Sequence, residues 1–166
     1  MDLIVSEHGF ARFGDATYRC AIGRGGIRSG KTEGDGASPR GCFSLLRAMY
    51  RDDRLDAPDT NLPCSPISEN DGWCDAPDDP AYNRPVTLPY PASCENLHRD
   101  DGLYDIVVVT GHNADPVVPG AGSAIFVHVA GGPDYPPTEG CIAFALAELR
   151  EILARWESRT DRLVVG

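Results

Sequence analysis

Several absences narrow what this chain can be. It contains no run of about 18 apolar residues, so no transmembrane helix is predicted. Residues 1–8 carry no basic segment and no long apolar segment, so no signal peptide is visible. We therefore expect a cytoplasmic protein. The alternative is a periplasmic protein, if the start of the sequence is truncated.

Positive charge is also scarce, because 15 Lys and Arg stand against 25 Asp and Glu, for a net charge of −10. Nucleic-acid binding depends on neutralising phosphates with basic side chains, so we expect no nucleic-acid partner. The same acidity disfavours attachment to anionic membranes, and its simplest effect is solubility. The length of 166 residues suits one domain over residues 1–166, which we expect to be a monomer.

The six cysteines show no C-x-x-C spacing, which argues against a zinc knuckle or a thioredoxin-like motif. Reduced thiols are the default in a protein without an export signal. Three cysteines, Cys64, Cys74 and Cys94, share one loop-rich region. A single disulfide among these three stays open.

The pattern of apolar residues predicts a mostly β domain. Short β-branched or alternating runs predict strands at residues 3–5, 11–13, 17–22, 104–110, 123–129 and 163–165. Residues 42–50 fit neither period cleanly, and we favour a strand over a helix there. Only residues 145–157 show apolar positions at helical spacing, and there Glu151 and Arg155 can pair one turn apart. The chain therefore ends in one helix followed by one strand.

Residues 52–102 are rich in proline and aspartate and read as loop. They also contain Trp73, Tyr82, Tyr90 and Leu97, which a disordered linker would not favour. Long loops inside compact domains are usually functional or disordered. We expect an ordered insertion that covers the core or the functional site.

One motif misleads. Residues 25–32 match the phosphate-binding pattern G-x-x-x-x-G-K-[ST], which works only where a helix follows and points its amides at the phosphates. Here three glycines and a proline follow within nine residues, so a helix is not expected. Glu33 and Asp35 would also repel a triphosphate. We do not expect nucleotide binding.

The candidate chemistry lies in His128, at the end of an apolar strand, and Cys141, which follows Gly140. An imidazole within hydrogen-bond reach can activate a thiol, and a helix N-terminus nearby would lower the pKa of Cys141 further. The amides of Gly140 and Cys141 could then face an oxyanion. Three other interpretations stay open: Cys141 as inert core, His128 as a structural group, and a zinc site of His112, His128 and Cys141.

These residues resemble the L,D-transpeptidase catalytic domain, the YkuD-like family, in its stand-alone single-domain branch. Its members carry a strand-end His and, about a dozen residues later, Ser/Thr-x-Gly-Cys, which here is Thr138-Glu139-Gly140-Cys141. Residues 31–43 look like the family's G-D-G-x-[ST]-P-x-G-x-F segment. Further similar segments lie at residues 73–75, 82–83 and 111–113, and together they span most of the chain.

The resemblance implies a mixed β-sheet sandwich with a C-terminal helix after the catalytic Cys. It implies that Cys141 attacks the L,D bond before the terminal D-Ala of a peptidoglycan tetrapeptide stem and forms a thioester. His128 would serve as base and then as acid, held by the carbonyl of Val129. No cofactor and no metal are implied. Candidate substrate-binding residues are Thr138, Glu139, His112, Asn113, Tyr82 and Trp73, with Tyr135 of second rank; each of these aromatic residues could equally be packing.

Two departures from the family pattern bear on the site. Many members have His before Gly-Cys, where this chain has Glu139, and a carboxylate that points inward would raise the pKa of Cys141. Many have Arg shortly after Cys-Ile, where this chain has Ala143. A basic side chain from elsewhere could take its place, and the candidates are Arg28, Lys31, Arg40 and Arg84.

The motif does not fix the acyl acceptor. Water would make the protein an L,D-carboxypeptidase of wall recycling, which we favour because no export signal is visible. An amine of a second stem would make it a transpeptidase that forms 3-3 crosslinks or exchanges D-amino acids. An alternative of another class is an inactive protein that binds wall fragments.

Overall fold

The computed structural model describes all residues, 1–166, and contains fifteen strands and one helix. Five strands, numbered along the chain, form the terminal sheet in the order β3-β2-β1-β15-β6. Their bounds are β1 Asp2–Val5, β2 Phe10–Phe13, β3 Ala16–Arg19, β6 Gly41–Phe43 and β15 Arg162–Val165. β1 runs parallel to β15 and antiparallel to β2, so the two ends of the chain share one sheet.

A second sheet of five strands, the central sheet, has the order β14-β13-β12-β7-β8. Its strands are β7 Leu45–Tyr50, β8 Cys64–Pro66, β12 Ile106–Thr110, β13 Phe126–Val129 and β14 Ile142–Phe144. β12 lies between β7 and β13, antiparallel to both, and every one of its residues is buried. Burial on both faces explains why its sequence is an unbroken β-branched run.

The large core fills the space between the terminal and central sheets. Side chains alternate across a strand, so Ile106 and Val108 of β12 enter this core while Val107 and Val109 point the other way. The single helix, α1 (Leu146–Arg155), adds Leu149, Ile152 and Leu153 to the same core. It is ten residues long, and the structure contains no helix able to span a membrane.

The small core lies on the opposite face of the central sheet, under residues 52–102. That segment is ordered and adds a three-stranded sheet in the order β10-β9-β11, here the insertion sheet. Its strands are β9 Asp71–Cys74, β10 Pro85–Thr87 and β11 Cys94–Asn96. The small core contains Trp73, Tyr104, Phe126 and Cys141. The insertion sheet was not predicted, because its strands are short and interrupted by proline and glycine.

The other strand predictions are confirmed with small shifts of their ends, and so is the helix, which is shorter than the predicted residues 145–157. Residues 42–50 form β6 and β7, as favoured. In the phosphate-loop-like segment, a two-residue strand β4 (Ile27–Arg28) pairs in parallel with β5 (Ser38–Pro39), and no helix follows. The structural context that a phosphate-binding loop needs is therefore absent.

Candidate active site

His128 and Cys141 lie on neighbouring strands of the central sheet. His128 is the third residue of β13 and pairs with Ala143 of β14, while Cys141 immediately precedes β14. In this parallel register Cys141 falls beside Phe126, two residues before His128 on the same face of the sheet. One strand spacing and two residues of rise separate the two positions by roughly 8 Å between Cα atoms, within reach of their side chains.

The thiol of Cys141 is held by backbone groups. Its Sγ donates to the carbonyl of Ala124 over 3.1 Å and accepts a hydrogen bond from the amide of Phe126 over 3.3 Å. No hydrogen bond joins this thiol to His128. Ala124 adopts the left-handed conformation, with a φ of 51°. The thiol proton is thus directed at a carbonyl in the substrate-free state.

The ring of His128 is oriented by its own neighbour in the chain. Nδ1 lies 2.8 Å from the carbonyl oxygen of Val129. Because a carbonyl only accepts, Nδ1 carries the hydrogen of the neutral ring and Nε2 is left as an acceptor. No protein group binds Nε2. Tyr104 packs its ring edge against the imidazole, with 5.4 Å between ring centroids, and fixes the ring plane.

Both groups are neutral in the resting protein. Burial lowers the pKa of His128 to about 4. Burial, followed by the charge of Glu95, raises the pKa of the Cys141 thiol to about 12. The expected lowering of this pKa by a helix N-terminus is wrong, because β14 lies between Cys141 and α1. The resting pair is therefore a thiol and a neutral imidazole that can accept its proton.

The turn before Cys141 is tightly bound. Gly140 has φ +137°, and a Cβ added there would lie 2.7 Å from the carbonyl oxygen of Ala37, so only glycine fits. Ser38 Oγ donates to the Gly140 carbonyl over 2.8 Å. Thr138 Oγ1 accepts from the Gly140 amide over 3.1 Å and donates to the Cys141 carbonyl over 2.7 Å.

These hydrogen bonds leave only one of the two expected oxyanion donors available. The Gly140 amide, expected to face the reacting carbonyl, already donates to Thr138. The Cys141 amide has no partner among the backbone or side-chain acceptors of the chain. A single unpaired N–H at the nucleophile is the kind of donor that an oxyanion needs. Thr138, expected to bind substrate, lines the cleft but has its hydroxyl engaged in shaping this turn.

Cys141 and His128 line one cleft of about 730 Å³. Its walls come from the turn before β14, from the loop before β13 and from the insertion. The charged lining residues are four acids, Glu33, Asp75, Glu95 and Glu139, and two cations, Lys31 and Arg99. Most of the remaining lining is polar or small. The acidic residues outnumber the basic ones, and this gives the cleft a negative character.

The residue before Gly140 points away from the thiol. The side chain of Glu139 is 78% exposed, and its carboxylate receives two 3.0 Å hydrogen bonds from Nε of Arg24. This guanidinium lowers the pKa of Glu139. The concern that Glu139 would raise the pKa of Cys141 therefore does not apply, because that effect comes from burial and Glu95.

The cleft contains two cations, Lys31 and Arg99, that could substitute for the family arginine. Of the four candidates from the sequence, only Lys31 lines the cleft; it pairs with Asp35 and donates to the Thr32 carbonyl over 3.0 Å. The other cation, Arg99, was not predicted. It binds Asp101 and lies over the ring of Tyr104, 5.2 Å from its centroid.

Four predicted substrate-binding residues lie behind the cleft wall. Trp73 is buried against Phe126, with ring centroids 5.1 Å apart. The imidazole of His112 contacts the Ala121 carbonyl at 2.9 Å, and Asn113 binds backbone groups of the loop that follows it. Tyr82 donates to Glu33 over 2.5 Å. None of the four lines the cleft.

These positions correct two expectations. For Trp73 and Tyr82 the packing alternative holds and the groove-lining one does not, because both side chains are buried within the insertion and neither lines the cleft. The zinc alternative also fails, since His112 faces Phe43 and Ala121 and does not join His128 and Cys141. No group of three potential metal-binding side chains forms in the structure. Tyr135, the second-rank candidate, lies outside the cleft and bonds to Glu148 over 3.1 Å.

The insertion supplies site residues that sequence reasoning missed. Glu95 of β11 accepts a 2.5 Å hydrogen bond from the hydroxyl of Tyr104, whose ring contacts His128. Burial raises the pKa of the Glu95 carboxyl. The aspartate-rich composition of residues 52–102 hinted at an acidic wall, but no motif singled out Glu95. Only the folded insertion brings this carboxylate close enough to raise the pKa of Cys141.

A neutral thiol, a neutral imidazole with a free Nε2 and an unpaired backbone amide lie together in one cleft of a mostly β domain. Groups of this kind can carry out nucleophilic acyl transfer. A model of the L,D-transpeptidase catalytic domain, YkuD, matches residues 13–165. The match covers nearly the whole chain, so the chain belongs to this family of peptidoglycan enzymes. No curated protein and no solved structure shows significant similarity to the chain.

Proposed function

We propose that this protein cleaves the L,D bond of peptidoglycan tetrapeptide stems through a thioester at Cys141, and that water is the acyl acceptor. The observation that carries the proposal is the shared cleft of Cys141 and His128, in which Val129 leaves Nε2 free to accept a proton. The base needs no activation, because His128 is neutral above a pKa of about 4.

In the first step, substrate binding turns the Cys141 side chain from the Ala124 carbonyl toward His128. Nε2 accepts the thiol proton while Sγ bonds to the carbonyl carbon of the residue before D-Ala. The C–N bond then breaks, the imidazolium returns its proton to the leaving amine, and D-Ala departs. In the second step His128 deprotonates water, which attacks the thioester, and the proton returns to the Cys141 sulfur as the tripeptide leaves.

The tetrahedral intermediate carries a negative oxygen that needs a donor. The Cys141 amide supplies one, since it has no other partner and lies at the nucleophile. Thr138 and Ser38 hold the turn that presents this amide, through their bonds to the Cys141 and Gly140 carbonyls. The cations Lys31 and Arg99 are available for a substrate carboxylate at the cleft wall.

The size of the cleft favours water as the acceptor. Its volume of about 730 Å³ lies within the range that encloses one drug-sized ligand, roughly 300–1,000 Å³. In a two-step reaction the acyl tripeptide still occupies its site when the acceptor enters. A second stem would have to fit beside it, whereas water needs no additional room. We therefore propose L,D-carboxypeptidase activity in wall recycling.

Transpeptidation is the second candidate, and the charge of the cleft favours it. Glu33, Asp75 and Glu95 line the same cleft and would attract the ammonium group of an acceptor stem. In that case the amine attacks the thioester and gives a 3-3 crosslink or an exchanged D-amino acid. Both candidates share the first step and therefore the same dependence on Cys141.

The test is mass spectrometry of the purified protein incubated with a free tetrapeptide stem, with Cys141→Ala as the comparison. We expect release of D-Ala and a tripeptide, and a loss of at least about 10³-fold in rate in the variant. In water enriched with ¹⁸O the tripeptide carboxylate should gain the label. A linked pair of stems, or D-amino-acid exchange without hydrolysis, would favour transpeptidation.

The alternative hypothesis, that the protein binds wall fragments without turning them over, predicts a different result. Such a protein would bind the tetrapeptide, measured by calorimetry, with equal affinity in wild type and Cys141→Ala, and neither form would turn it over. Rapid alkylation of the resting thiol is a poor discriminator, because burial raises the pKa of Cys141 to about 12. A cytoplasmic location is part of our proposal, and fractionation of the native cells tests it.

A further inference from the structure

Two thiols outside the catalytic pair face each other in the insertion sheet. Cys74 ends β9 and Cys94 begins β11, and the antiparallel register places them directly opposite one another. Neither takes part in the proposed reaction. Cys74 is fully buried, while Cys94 is partly exposed and lines the catalytic cleft.

The hydrogen-bond pattern shows which type of cross-strand pair they form. The Asp75 amide donates to Ser93 over 3.1 Å, and the Leu97 amide donates to Asp71 over 3.0 Å. Hydrogen-bonded and non-hydrogen-bonded pairs alternate along an antiparallel ladder, so the pair between Cys74 and Cys94 is non-hydrogen-bonded. Cα atoms in such pairs lie about 4.5 Å apart, inside the range of about 4.4–6.8 Å that a disulfide spans.

The remaining cysteines have no such partner. Cys42 lies on β6 and Cys64 on β8, both exposed and in other sheets, and Cys20 is buried beside β3. Burial first, and then the adjacent Cys74 thiol, raise the pKa of Cys94 to about 11. Such a thiol reacts slowly at neutral pH but faces its partner, which makes linkage the expected end of any oxidation there.

We propose that Cys74 and Cys94 form a reversible disulfide that fixes the insertion wall of the catalytic cleft. With a small-molecule disulfide as oxidant, the Cys94 thiolate attacks one of its sulfurs and releases the first thiol. The Cys74 thiolate then attacks the Cys94 sulfur of the mixed disulfide and releases the second. Two protein thiols are oxidised, one external disulfide is reduced to two thiols, and the site is restored by a dithiol.

The bond would act on the cleft through β11. The next residue after Cys94 is Glu95, which accepts from Tyr104, and Tyr104 contacts the ring of His128. The disulfide closes a loop of about 20 residues, which restricts the unfolded chain and stabilises the folded one. The inference concerns the wall of the cleft, so it stands or falls independently of the proposed reaction.

The test equilibrates the full chain in mixtures of oxidised and reduced glutathione, traps free thiols with N-ethylmaleimide and digests with a protease that cleaves before Asp. The cuts separate the three cysteines of the insertion, because Cys64 falls in residues 59–70, Cys74 in 71–74 and Cys94 in 79–99. We expect residues 71–74 and 79–99 to be joined, with the joined species 2 Da below the sum of the two thiol forms.

Thermal unfolding and hydrogen exchange provide two further measurements beside mass spectrometry. The oxidised protein should melt roughly 5–10 °C higher than the reduced one, and the amides of β11 should exchange hydrogen more slowly. Cys74→Ser and Cys94→Ser should each remove both effects, while Cys64→Ser should keep them. Glutathione carried on Cys94 without linkage, a bond to Cys64 or Cys141, or full alkylation of both thiols in oxidised glutathione would each overturn the proposal.

Discussion

The two faces of the central sheet bury very different material. On one face, Val127 of β13 enters a large core built from the terminal sheet and α1, which is almost entirely apolar. On the other face, its neighbours Phe126 and His128 enter or border a small core that includes Cys141 and is covered by the insertion. Successive side chains of β13 therefore belong alternately to the large core and to the candidate site.

The difference teaches how the site gets its properties. In the large core burial chiefly removes apolar surface from water, and although it also raises the pKa of Cys20, that thiol lies outside the cleft. In the small core the same burial acts on titratable groups, so it lowers the pKa of His128 and raises that of Cys141. The neutral thiol and neutral imidazole follow from desolvation, since no ionic partner contacts either group.

The sharpest way to break this comparison is to replace His128 and the half-buried His112 separately. His128→Gln should lower kcat by about 10²–10⁴-fold, because the base is lost. His112→Gln is the matched control, since His112 is half-buried on a loop outside the cleft and contacts only the Ala121 carbonyl among polar groups. Steady-state release of D-Ala measures both. Equal losses in the two variants would contradict the assignment of the base.

Replacing one large side chain in each core should show whether a loss of stability and a loss of activity can be separated. Phe144→Leu in the large core and Trp73→Leu in the small core should each destabilise the fold by about 1–3 kcal/mol, measured by urea unfolding. Only Trp73→Leu should also lower kcat/KM of the folded protein, by about tenfold, because Trp73 supports Phe126, whose amide holds the Cys141 sulfur.

A similar loss of activity in Phe144→Leu would mean that the two cores are not separable. Phe144 lies three residues after Cys141, but its side chain is fully buried in the large core. Circular dichroism at low temperature should establish that both variants are folded before their rates are compared.

The buried base should also make stability depend on pH. The pKa of His128 is about 4 in the folded state against about 6.5 in an unfolded chain, so the unfolded state binds more protons between these values. The contribution of His128 is therefore fully present above pH 6.5 and is lost as the pH falls to about 4. The total is on the order of 3 kcal/mol.

Urea unfolding at pH 7.5, 6 and 5 measures this loss. Carboxylates titrate in wild type and variant alike, so the difference between wild type and His128→Gln isolates the histidine. We expect that difference to shift in favour of the variant as the pH falls. A difference that does not change with pH would mean that the folded pKa of His128 is close to its ordinary value.

The smallest effect on activity is expected from a change at Tyr104, whose ring packs against the imidazole of His128. Tyr104→Phe removes the hydroxyl that binds Glu95 and should cost about 1–3 kcal/mol of stability, because it leaves a partly buried carboxylate with fewer partners. It should also lower kcat a few-fold and shift the acidic limb of the pH profile. Tyr18→Phe is the control, since its hydroxyl binds Glu151 on α1, over 2.8 Å. An unchanged pH profile in Tyr104→Phe would exclude a positioning role.

Prediction from sequence worked best where local pattern and tertiary environment agree. β12 and β13 were predicted because a β-branched apolar run suits a strand buried on both faces. α1 was predicted because its apolar stripe faces one core, although the exposed Leu146 showed that the stripe is not buried at its start. The insertion sheet escaped prediction because its three- and four-residue strands are defined by their partners and not by their own period.

The sequence by itself determined the family of the chain and its mostly β character, and it singled out His128 and Cys141 as the candidate catalytic pair, since order and spacing along the chain carry that information. Only the tertiary structure decided that Val129 leaves Nε2 free, that the Cys141 amide is the unpaired donor, and that Glu139 turns outward to Arg24. It also decided that Trp73, Tyr82, His112 and Asn113 lie behind the cleft while Glu95, Arg99 and Lys31 line it. The physical reason is that burial, register and hydrogen-bond partners depend on residues far apart in the chain, which no local pattern encodes.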